Sequence, residues 1–563
     1  MGIKGTMILG SDEAAVIRAL AEIHQTGLMS RIWSRDYTVW KPLPTEIANR
    51  LGWLDSPRLM ADRLQEISTV TEEIRGEGYT HALLLGMGGS SLAPEVFRKT
   101  FGVAPGFLDL AVCDTTDPGA VLAFRQALDP ARTLFIVSTK SGGTVETVSL
   151  MKYFYNEVVK AIGAEEGGRH FVAITDPGSG LADMALKLRF RHIFYNDPDI
   201  GGRYSALSFF GLVPATLLSM NVPRLLESAR ALAVHEEEDT NAEGMNAATL
   251  GTAIGELALM GRNKLTFVLA PELESFGDWL EQLIAESTGK EGKGIVPIVG
   301  EPLGAPSLYG PDRLFVAIRP AGDRTGEDQL DALAQAGHPV IRMEMDDRYD
   351  LGAQFFLWEL ATAVAANRLG INPFDQPDVE AAKVLARRAV EESRSQGGVP
   401  VEMPNGEEDN IQIFGGPTAG TIRDRVTRFL EAGRVGDYVA IQAYVRPTPA
   451  MDEALRLIRI AIRASSHLAV TVGYGPRFLH STGQLHKGDG GMGLFIQITT
   501  DDPRDLPIPD EAGKEASSLA FGVLKAAQAR GDLQALQNAG RRVIRLHIKG
   551  NDIARALIAL FSW

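Results

Sequence analysis

The sequence predicts an α/β fold with two doubly wound parallel-sheet domains and a further α/β domain near the C-terminus. Short apolar runs typical of buried strands alternate with segments of helical periodicity over residues 80–230, and the alternation returns at 264–369 and again from 400 onward. Strands that are separated by helical crossovers pair in parallel. The apolar fraction of 45% and the charged fraction of 23% are those of a globular protein.

A chain of 563 residues is long enough for several domains. We predict four parts: an N-terminal helical segment over 1–75 that packs on the core, a first sheet domain over 76–230, a second over 231–395, and a C-terminal α/β domain over 396–563. The last boundary is placed at Gln396–Pro400, a stretch that contains two glycines and a proline. The predicted strands are 81–86, 107–113, 133–138, 170–175 and 191–195, then 264–269, 314–318 and 339–345, then 410–414, 438–445, 467–473, 493–499 and 542–548.

Charge and cysteine content disfavour several classes of protein. The net charge is −15, from 56 basic and 71 acidic residues, whereas a nucleic-acid-binding protein usually carries a basic surface. The one cysteine, Cys113, follows apolar residues and is expected to be a buried thiol, which excludes an internal disulfide. No apolar run reaches the roughly 18 residues of a membrane span. Since the N-terminus also lacks a secretory hydrophobic region, we expect a cytoplasmic protein without membrane partners.

The stretch Ser138–Thr147 carries the strongest functional signal. It lies between an apolar strand, Leu134–Val137, and a segment with helical periodicity. The stretch has five hydroxyl side chains, Lys140 and two glycines, and the helix that follows offers free N–H groups and its positive dipole end. These features predict a site for a phosphate dianion. The alternative is an ordinary helix cap, for which one hydroxyl suffices.

A second glycine-rich loop, Gly86–Ser91, follows the predicted strand 81–86. On its own this signal is weak, because glycine turns after parallel strands are common, and the spacing departs from the dinucleotide-binding fingerprint. Ligands bind at the carboxyl ends of the strands in such sheets. Together with Ser138–Thr147, the loop therefore suggests two strand ends that face one small phosphate ligand.

Three further stretches hold candidate catalytic groups, each with a structural alternative. Arg203 follows a double glycine and is suited to stabilise a developing oxyanion, or it forms a structural salt bridge. Gln282 and Glu286 share one helix face, where a glutamate is either a base or simply solvated. Gln376 and Lys383 lie on one helix face in Asn372–Lys383, where charged pairs usually lie at the surface.

Two histidines, His480 and His486, lie beside glycines in the C-terminal third of the chain. Their loop is suited to acid/base chemistry. Metal binding is the alternative, although no third ligand is evident in the sequence.

Taken together, these stretches resemble the glucose-6-phosphate isomerase family over about residues 30–390. Asp199–Ser205 is similar to one family signature, and Asn372–Lys383 is similar to the other, with Asp378 where the family usually has glycine. Gly86–Ser90 and Thr139–Thr144 look like the two phosphate loops of sugar-isomerase (SIS) domains. Glu286–Lys290 matches the stretch that carries the family's catalytic glutamate.

The catalytic histidine is the departure from the family pattern. The family usually has it some 20–30 residues after the glutamate, but residues 300–320 contain none. Leu479–Gln484 resembles the stretch that holds this histidine in some bacterial members. We therefore expect the C-terminal domain to return His480 to the site, as in the long isomerase form that is fused to transaldolase. The transaldolase barrel is not evident in this sequence.

The resemblance implies reversible conversion of glucose 6-phosphate to fructose 6-phosphate without a metal or other cofactor. His480 would open the sugar ring with help from Lys383, Glu286 would move the proton between C2 and C1, and Arg203 would stabilise the cis-enediolate. The implied substrate-binding residues are Gly89, Ser90, Thr139, Lys140, Ser141, Thr144, Thr147, Gln282 and Gln376. The family is usually dimeric, so a homodimer is compatible with the resemblance.

Two rival functions stay open from the sequence. One is an isomerase that acts on mannose or amino-sugar phosphates, and the other is a non-catalytic sugar-phosphate sensor. A sensor would keep both phosphate loops but would have no use for Glu286 together with Arg203 and Lys383. The choice between His480 and His486 also stays open at this stage.

Overall fold

The computed structural model describes residues 4–238, 244–379, 384–385, 388, 391 and 402–562. The N-terminal segment opens with a strand and continues with three helices that pack on the second sheet and its helices. These elements are β1 (Lys4–Ile8), α1 (Glu13–Gln25), α2 (Leu28–Trp33) and α3 (Ser56–Gly76). Trp40, between α2 and α3, donates its indole N–H to the carbonyl oxygen of Ala363 at 2.9 Å, which fixes this segment on the core.

The first sheet is parallel throughout and has the strand order β3-β2-β4-β5-β6. Its elements are β2 (His81–Gly86), α4 (Leu92–Phe101), β3 (Asp109–Cys113), α5 (Pro118–Ala127), β4 (Thr133–Ser138), α6 (Val145–Ile162), α7 (Ala164–Gly167), β5 (Phe171–Thr175), α8 (Gly180–Lys187) and β6 (His192–Tyr195). Strand β4 is buried along its whole length because both faces of the sheet are covered. The strand order reverses between β2 and β4, and such a switch point is where ligands bind in open α/β sheets.

The second sheet has the order β1-β10-β9-β7-β8, and β1 is its antiparallel edge. Its elements are α9 (Phe209–Leu217), α10 (Val222–Glu238), α11 (Ala247–Leu259), β7 (Lys264–Leu269), α12 (Glu274–Thr288), β8 (Val296–Ile298), β9 (Arg313–Pro320), α13 (Glu327–Gln335), β10 (Val340–Met345) and α14 (Leu351–Leu369). Helix α14 is buried for most of its length and belongs to one apolar cluster that reaches residues of both sheets.

The N-terminal segment differs from the expectation of a purely helical one. Strand β1 pairs with β10, so that Lys4 lies opposite Glu344 and Ile8 opposite Val340. Five residues with mixed polarity have no strong local preference for a strand, and the pairing that stabilises them lies more than 330 residues away in the chain. The boundary predicted between residues 230 and 231 falls inside α10, and the one predicted between 395 and 396 lies outside the described residues.

The third sheet has the order β11-β12-β18-β15-β13-β14. Its strands β13, β14, β15 and β18 run parallel, and β11 and β12 form an antiparallel edge. The elements are β11 (Gly406–Glu408), β12 (Ile411–Phe414), α15 (Ile422–Glu431), β13 (Tyr438–Tyr444), α16 (Pro449–Ser466), β14 (Ala469–Tyr474), α17 (Gly483–Gly488), β15 (Gly493–Thr500), β16 (Pro507–Ile508), β17 (Leu519–Ala520), α18 (Phe521–Asn538), β18 (Arg542–Ile548) and α19 (Ile553–Leu560). The predicted α/β fold class is confirmed.

The C-terminal domain packs directly on the first sheet. Leu506, Ile508, Leu519, Phe521 and Leu524 belong to one apolar cluster with strands β2 and β4 and helix α6. Beside this cluster, Lys525 donates hydrogen bonds to Asp117 at 2.8 Å and to Asp502 at 2.5 Å. Apolar burial supplies the main attraction, and the buried ion pairs fix how α18 lies against the first domain.

The same domain also contacts the second sheet. Helix α17 packs against the end of α12: a Cβ atom at Gly289 would lie 2.3 Å from the Cα atom of Leu485. Gln484 donates to the carbonyl oxygen of Gly289 at 2.9 Å, and its own carbonyl accepts the backbone N–H of Asp378 at 2.9 Å. In the described part of the chain, no helix is both long and apolar enough to cross a membrane.

Candidate active site

A cavity of about 980 Å³ opens at the carboxyl end of the first sheet, beside the switch point between β2 and β4. Its walls come from both sheet domains and from the C-terminal domain. The predicted site residues that line it are Gly89, Ser90, Thr139, Lys140, Ser141, Thr144, Arg203, Gln282, Glu286, Gln376 and His480. Of the other predicted residues, Thr147 does not line the cavity, and Lys383 lies outside the described residues.

The loop after β4 exposes hydroxyls and free backbone N–H groups to the cavity. The hydroxyls of Thr139 and Thr144 are 2.9 Å apart across the loop. Thr144 occupies the N-cap position of α6 with extended backbone, and its side chain makes no capping hydrogen bond within the described chain. The first N–H groups of α6 are therefore available to an anion, as the phosphate interpretation requires.

Lys140 lies at the rim of this loop. Its ammonium group forms an ion pair with Asp176 and donates to the carbonyl oxygen of Pro198 at 2.7 Å. This positive charge is tied to the loops that follow β5 and β6, so a ligand phosphate would meet a lysine that is already held in place.

Thr147 does not line the cavity, and its predicted contact with the phosphate stays a prediction. Thr147 lies in the first turn of α6 but is fully buried, and its hydroxyl oxygen has no hydrogen-bond partner among the described residues.

Two glycines allow the loop after β2 to approach its neighbours closely. A Cβ atom at Gly89 would lie 2.0 Å from the carbonyl oxygen of Gly202, so only glycine fits against the loop that carries Arg203. Gly88 has a φ of +56°, and a Cβ there would lie 2.7 Å from the carbonyl oxygen of His480 and 2.9 Å from Nε2 of Gln282. One loop thus touches the segments that carry the guanidinium, the amide and the imidazole.

Arg203 is buried and held by several acceptors. Its Nε donates to the hydroxyl of Ser287 at 2.9 Å, and Nη2 donates to the carbonyl oxygens of Pro373 and Asp375 at 2.5 and 3.0 Å. Nη1 donates to Oε1 of Gln376 at 3.2 Å and lies 3.3 Å from Oε1 of Glu286. Because each nitrogen of the Arg203 guanidinium has a partner, its positive charge is fixed in one position beside the Glu286 carboxylate.

Glu286 lies near the end of α12, with 7% of its surface exposed. One carboxylate oxygen faces Arg203, and the other accepts a hydrogen bond from Nε2 of Gln282 at 2.9 Å. The spacing of four residues places Gln282 and Glu286 on one helix face, as the sequence predicts. The carboxylate is therefore held on both oxygens and still reaches the cavity.

A buried lysine supports the loop around Gln376. Lys290 donates to the backbone oxygen of Asp375 at 2.6 Å and to its carboxylate at 2.8 Å. Burial, reinforced by the nearby positive charge of Arg203, lowers the pKa of Lys290 to about 8. Lys290 and Arg203 both donate to the backbone oxygen of Asp375. The segment that they hold places the next residue, Gln376, at the cavity.

His480 is the histidine that reaches the cavity. It ends a short turn after β14, and its Nε2 lies 2.9 Å from Oε1 of Glu146 on α6. His486 is fully enclosed, lies within 3.2 Å of the Nε2 atom of Gln442 through its Nδ1 atom, and does not line the cavity. Burial lowers the pKa of His486 well below its ordinary value, so it is a neutral core residue.

Sequence reasoning missed Glu146 and Gln528. Glu146 stands inside the phosphate-loop stretch, and a carboxylate in the first turn of a helix usually serves the helix dipole, so the residue drew no functional interpretation. Gln528 lies on α18 and donates from Nε2 to Oε1 of Glu146 at 2.6 Å. No local pattern in α18 distinguishes Gln528 from other buried glutamines.

The two α/β sheet domains, the paired glycine-rich loops and the facing carboxylate and guanidinium form the kind of site that the sequence predicts for an isomerase of sugar phosphates. The sequence profile of a family described as "Phosphoglucose isomerase" matches residues 59–296. The glucose-6-phosphate isomerase of Rubrobacter xylanophilus is 31% identical over 380 residues, which cover 59% of this chain and 87% of that protein. The chain belongs to the phosphoglucose isomerase family.

A second relative carries the same name, and two solved structures are similar in fold. The glucose-6-phosphate isomerase of Carboxydothermus hydrogenoformans is 28% identical over 62% of this chain and 87% of that protein. A hypothetical protein of Thermus thermophilus has a TM-score of 0.57 at 25% identity, over 68% of this chain and 99% of its own. A glucose-6-phosphate isomerase of Chlamydia trachomatis shares the fold, with a TM-score of 0.52 at 20% identity. The match covers 65% of this chain and 78% of that one.

Proposed function

We propose that this protein interconverts glucose 6-phosphate and fructose 6-phosphate. Family membership supports this reaction over the two rivals, because the relatives named above are glucose-6-phosphate isomerases. The observation that carries the proposal is that Glu286, Arg203 and His480 line one cavity together with both glycine-rich loops. A sensor of sugar phosphates would not need a carboxylate held 3.3 Å from a guanidinium.

The phosphate group of the substrate binds the loops after β2 and β4. Ser90, Thr139, Ser141 and Thr144 supply hydroxyls, and the N-terminus of α6 supplies backbone N–H groups. Oxygen atoms of a dianion accept these donors, and the helix dipole adds to the attraction. Binding the phosphate at one end fixes the sugar carbons over Glu286 without contact at the reacting atoms.

Ring opening is the first chemical step. The anomeric hydroxyl gives up a proton while the ring oxygen gains one, and the bond between C1 and the ring oxygen breaks. His480 exchanges the proton with the ring oxygen, and its contact with Glu146 orients the imidazole. The family resemblance assigns Lys383 to the same step, as a helper of His480.

Isomerisation of the open chain follows. Glu286 removes the proton from C2, the electrons shift to form the C1–C2 double bond, and the carbonyl oxygen at C1 gains negative charge. Arg203 faces this enediolate and stabilises it. The proton of the C2 hydroxyl passes to the C1 oxygen of the enediolate. The same carboxylate then returns its proton to C1, and the C2 oxygen becomes the carbonyl of the ketose. Gln282 and Gln376 bind sugar hydroxyls at the two sides of the base.

A coupled assay on the purified chain tests the function. Fructose 6-phosphate is supplied, and glucose 6-phosphate is detected through its oxidation by an added dehydrogenase. Turnover with fructose 6-phosphate supports the proposal. Turnover with mannose 6-phosphate or an amino-sugar phosphate alone would replace it with the rival isomerase, and binding without turnover would replace it with the sensor.

We also propose that one chain supplies a complete site. His480 belongs to the same chain as Glu286 and Arg203 and reaches the same cavity. A homodimer is compatible with this arrangement but is not needed to bring the imidazole to the site.

A further inference from the structure

A buried amide contacts the carboxylate that orients His480. Nε2 of Gln528 donates to Oε1 of Glu146 at 2.6 Å, and Nε2 of His480 lies 2.9 Å from the same oxygen. Gln528 has 3% of its surface exposed, and it lines the wall of the cavity. Three side chains from two domains therefore meet at one carboxylate oxygen.

Thr116 fixes which way the amide points. Its hydroxyl donates to Oε1 of Gln528 at 2.8 Å, and Thr116 is fully buried. A carboxylate accepts hydrogen bonds, so the NH₂ group of the amide must face Glu146 and the carbonyl must face Thr116. Along Thr116–Gln528–Glu146–His480, the hydrogen-bond donors therefore converge on the Glu146 carboxylate from both sides.

The position of Gln528 is set by an ion pair one turn earlier on α18. Lys525 is buried and donates to Asp117 at 2.8 Å, and Asp117 is the neighbour of Thr116 in the chain. Residues three apart on a helix lie on the same face, so Lys525 and Gln528 contact the first domain together. This pair of contacts holds the amide at Glu146 without help from the substrate.

We propose that Gln528 is a positioning residue for the ring-opening step, an inference that rests on the proposed isomerase function. The amide holds the Glu146 carboxylate in the orientation that accepts Nε2–H of His480. That hydrogen bond keeps the neutral imidazole in the tautomer with its proton on Nε2 and its lone pair on Nδ1. Gln528 does not touch the reacting atoms and acts through Glu146.

The test measures ring opening separately from proton transfer. Ring opening and closure interconvert the α and β anomers of glucose 6-phosphate, and exchange NMR reports that rate. Gln528→Met keeps the size of the side chain and removes both hydrogen bonds. We expect enzyme-catalysed anomer exchange and kcat/KM to fall about tenfold or more, since a hydrogen bond to a charged group is lost. KM should stay within about twofold, because the phosphate loops are unchanged.

The pH profile gives a second readout that a purely structural role would not move. A carboxylate that has lost a donor attracts the proton of the imidazolium more strongly, which raises the pKa of the imidazole. The limb of the kcat/KM profile that reports His480 should therefore move to higher pH in Gln528→Met. In a Glu146→Gln background, the same substitution should have little further effect.

Gln497→Met is the matched control. Gln497 is also buried and donates to the same helix, at the carbonyl oxygen of Ala529 at 3.0 Å, but it does not contact Glu146 or line the cavity. This variant should lose stability without a change in anomer exchange or pH profile. Equal losses in the two variants would overturn the proposal.

If Gln528→Met does not fold, Thr116→Val replaces it as the test variant. It removes the hydroxyl that orients the amide and preserves the shape of the side chain, so a smaller loss of anomer exchange in the same direction is expected. Wild-type anomer exchange and pH profile in a folded Gln528→Met, or in Thr116→Val, would refute the role of Gln528 and leave the isomerase function intact. An unmodified chain without isomerase activity would instead refute the proposed function.

Discussion

The geometry around Glu286 separates the base from bulk water and fixes it beside a positive charge. Arg203 lies 3.3 Å from one carboxylate oxygen, and Gln282 donates to the other at 2.9 Å. A proton that leaves C2 generates negative charge on the neighbouring oxygens, and a guanidinium already in place stabilises that charge without reorganisation. The pair is therefore suited to enediolate chemistry rather than to binding alone.

Replacing Glu286 tests this assignment at the residue scale. Glu286→Gln keeps the shape and the contact with Gln282 but removes the base, so isomerisation should fall by about 10²–10⁴-fold. Anomer exchange of glucose 6-phosphate should persist, since ring opening does not use Glu286. Isomerisation is followed by the coupled assay, and anomer exchange by NMR on the same sample.

The matched control for this variant is Glu274→Gln, on the solvent side of the same helix, where the carboxylate is exposed. It should behave like the unmodified chain in both measurements. Retained isomerisation in Glu286→Gln would remove Glu286 as the base.

Replacing His480 should give the complementary pattern. His480→Ala removes the group that exchanges a proton with the ring oxygen, so anomer exchange and overall turnover of cyclic substrate should both fall about 10²-fold or more. His486→Ala leaves a small internal cavity in the C-terminal domain and should lower stability without selective loss of ring opening. A selective loss of anomer exchange in His486→Ala, with normal exchange in His480→Ala, would reverse the assignment.

The site residues that the sequence could predict are those that stand in recognisable family motifs. Arg203, Glu286, Gln282 and Gln376 stand in stretches whose order and spacing match a family, and each reaches the cavity. Thr147 is buried in the first turn of α6 and does not line the cavity, because a count of hydroxyls along a loop does not tell which of them face the cavity. Gln528 could not be predicted, because its role depends on a contact between segments 382 residues apart.

At the scale of elements, the site depends on how closely the loops after β2 and β6 approach. Gly89 touches the carbonyl oxygen of Gly202, next to Arg203, with no space for a side chain. Loops that meet at this distance transmit any displacement of one to the other. The position of the Arg203 guanidinium therefore depends on Gly89, although Gly89 has no side chain with which to contact the substrate.

Gly89→Ala should disturb the site more than its single methyl group suggests. The added atom would lie 2.0 Å from the Gly202 oxygen, so the two loops must separate. We expect a loss of about 1–3 kcal/mol in the free energy of unfolding, measured with urea, and a loss of turnover of at least tenfold. The loss of turnover should lie in kcat, because the carboxylate and the guanidinium no longer align.

Gly76→Ala is the control, since a Cβ atom at the end of α3 has nothing within 4 Å. Its turnover should match that of the unmodified chain, and its stability should be equal or slightly higher, because alanine favours the helical backbone. Normal turnover in Gly89→Ala would mean that the loops adjust without moving Arg203.

Central strands could be predicted well, and short peripheral strands such as β1 could not. Strands β2, β4, β13 and β15 are mostly apolar, and their predicted positions agree with the structure to within a residue. Strand β1 is short and exposed, so its own residues carry little signal. Its pairing with β10 is a property of the assembled second sheet.

At the scale of the whole molecule, the C-terminal domain completes the core of the first sheet and brings His480 to the cavity. The apolar residues of 506–524 join the cluster around β2 and β4, and α17 packs on the end of α12. The sequence predicted the return of the histidine from a resemblance. The docking itself depends on complementary shapes in distant segments, which no local pattern reveals.

Co-expression of two inactive variants tests whether one chain forms a whole site. Glu286→Gln and His480→Ala each remove one group, and we expect their mixture to stay inactive because both groups come from the same chain. In a dimer that shares these groups between subunits, about a quarter of the sites would regain both. Isomerase turnover of the co-purified mixture decides between the two arrangements.

Either variant expressed with the unmodified chain provides the positive control, and tags on each variant show whether mixed oligomers form. Recovered turnover in the mixture would show that subunits exchange their catalytic groups.

The pairing of β1 with β10 has a consequence for synthesis on the ribosome. Residues 4–8 are synthesised before their partners at 340–344, which follow more than 330 residues later. At about 5–20 residues per second, β1 waits roughly 17–70 seconds without its partner strand. During that interval its backbone N–H and C=O groups are open to another strand, which makes residues 4–8 a binding point for a chaperone.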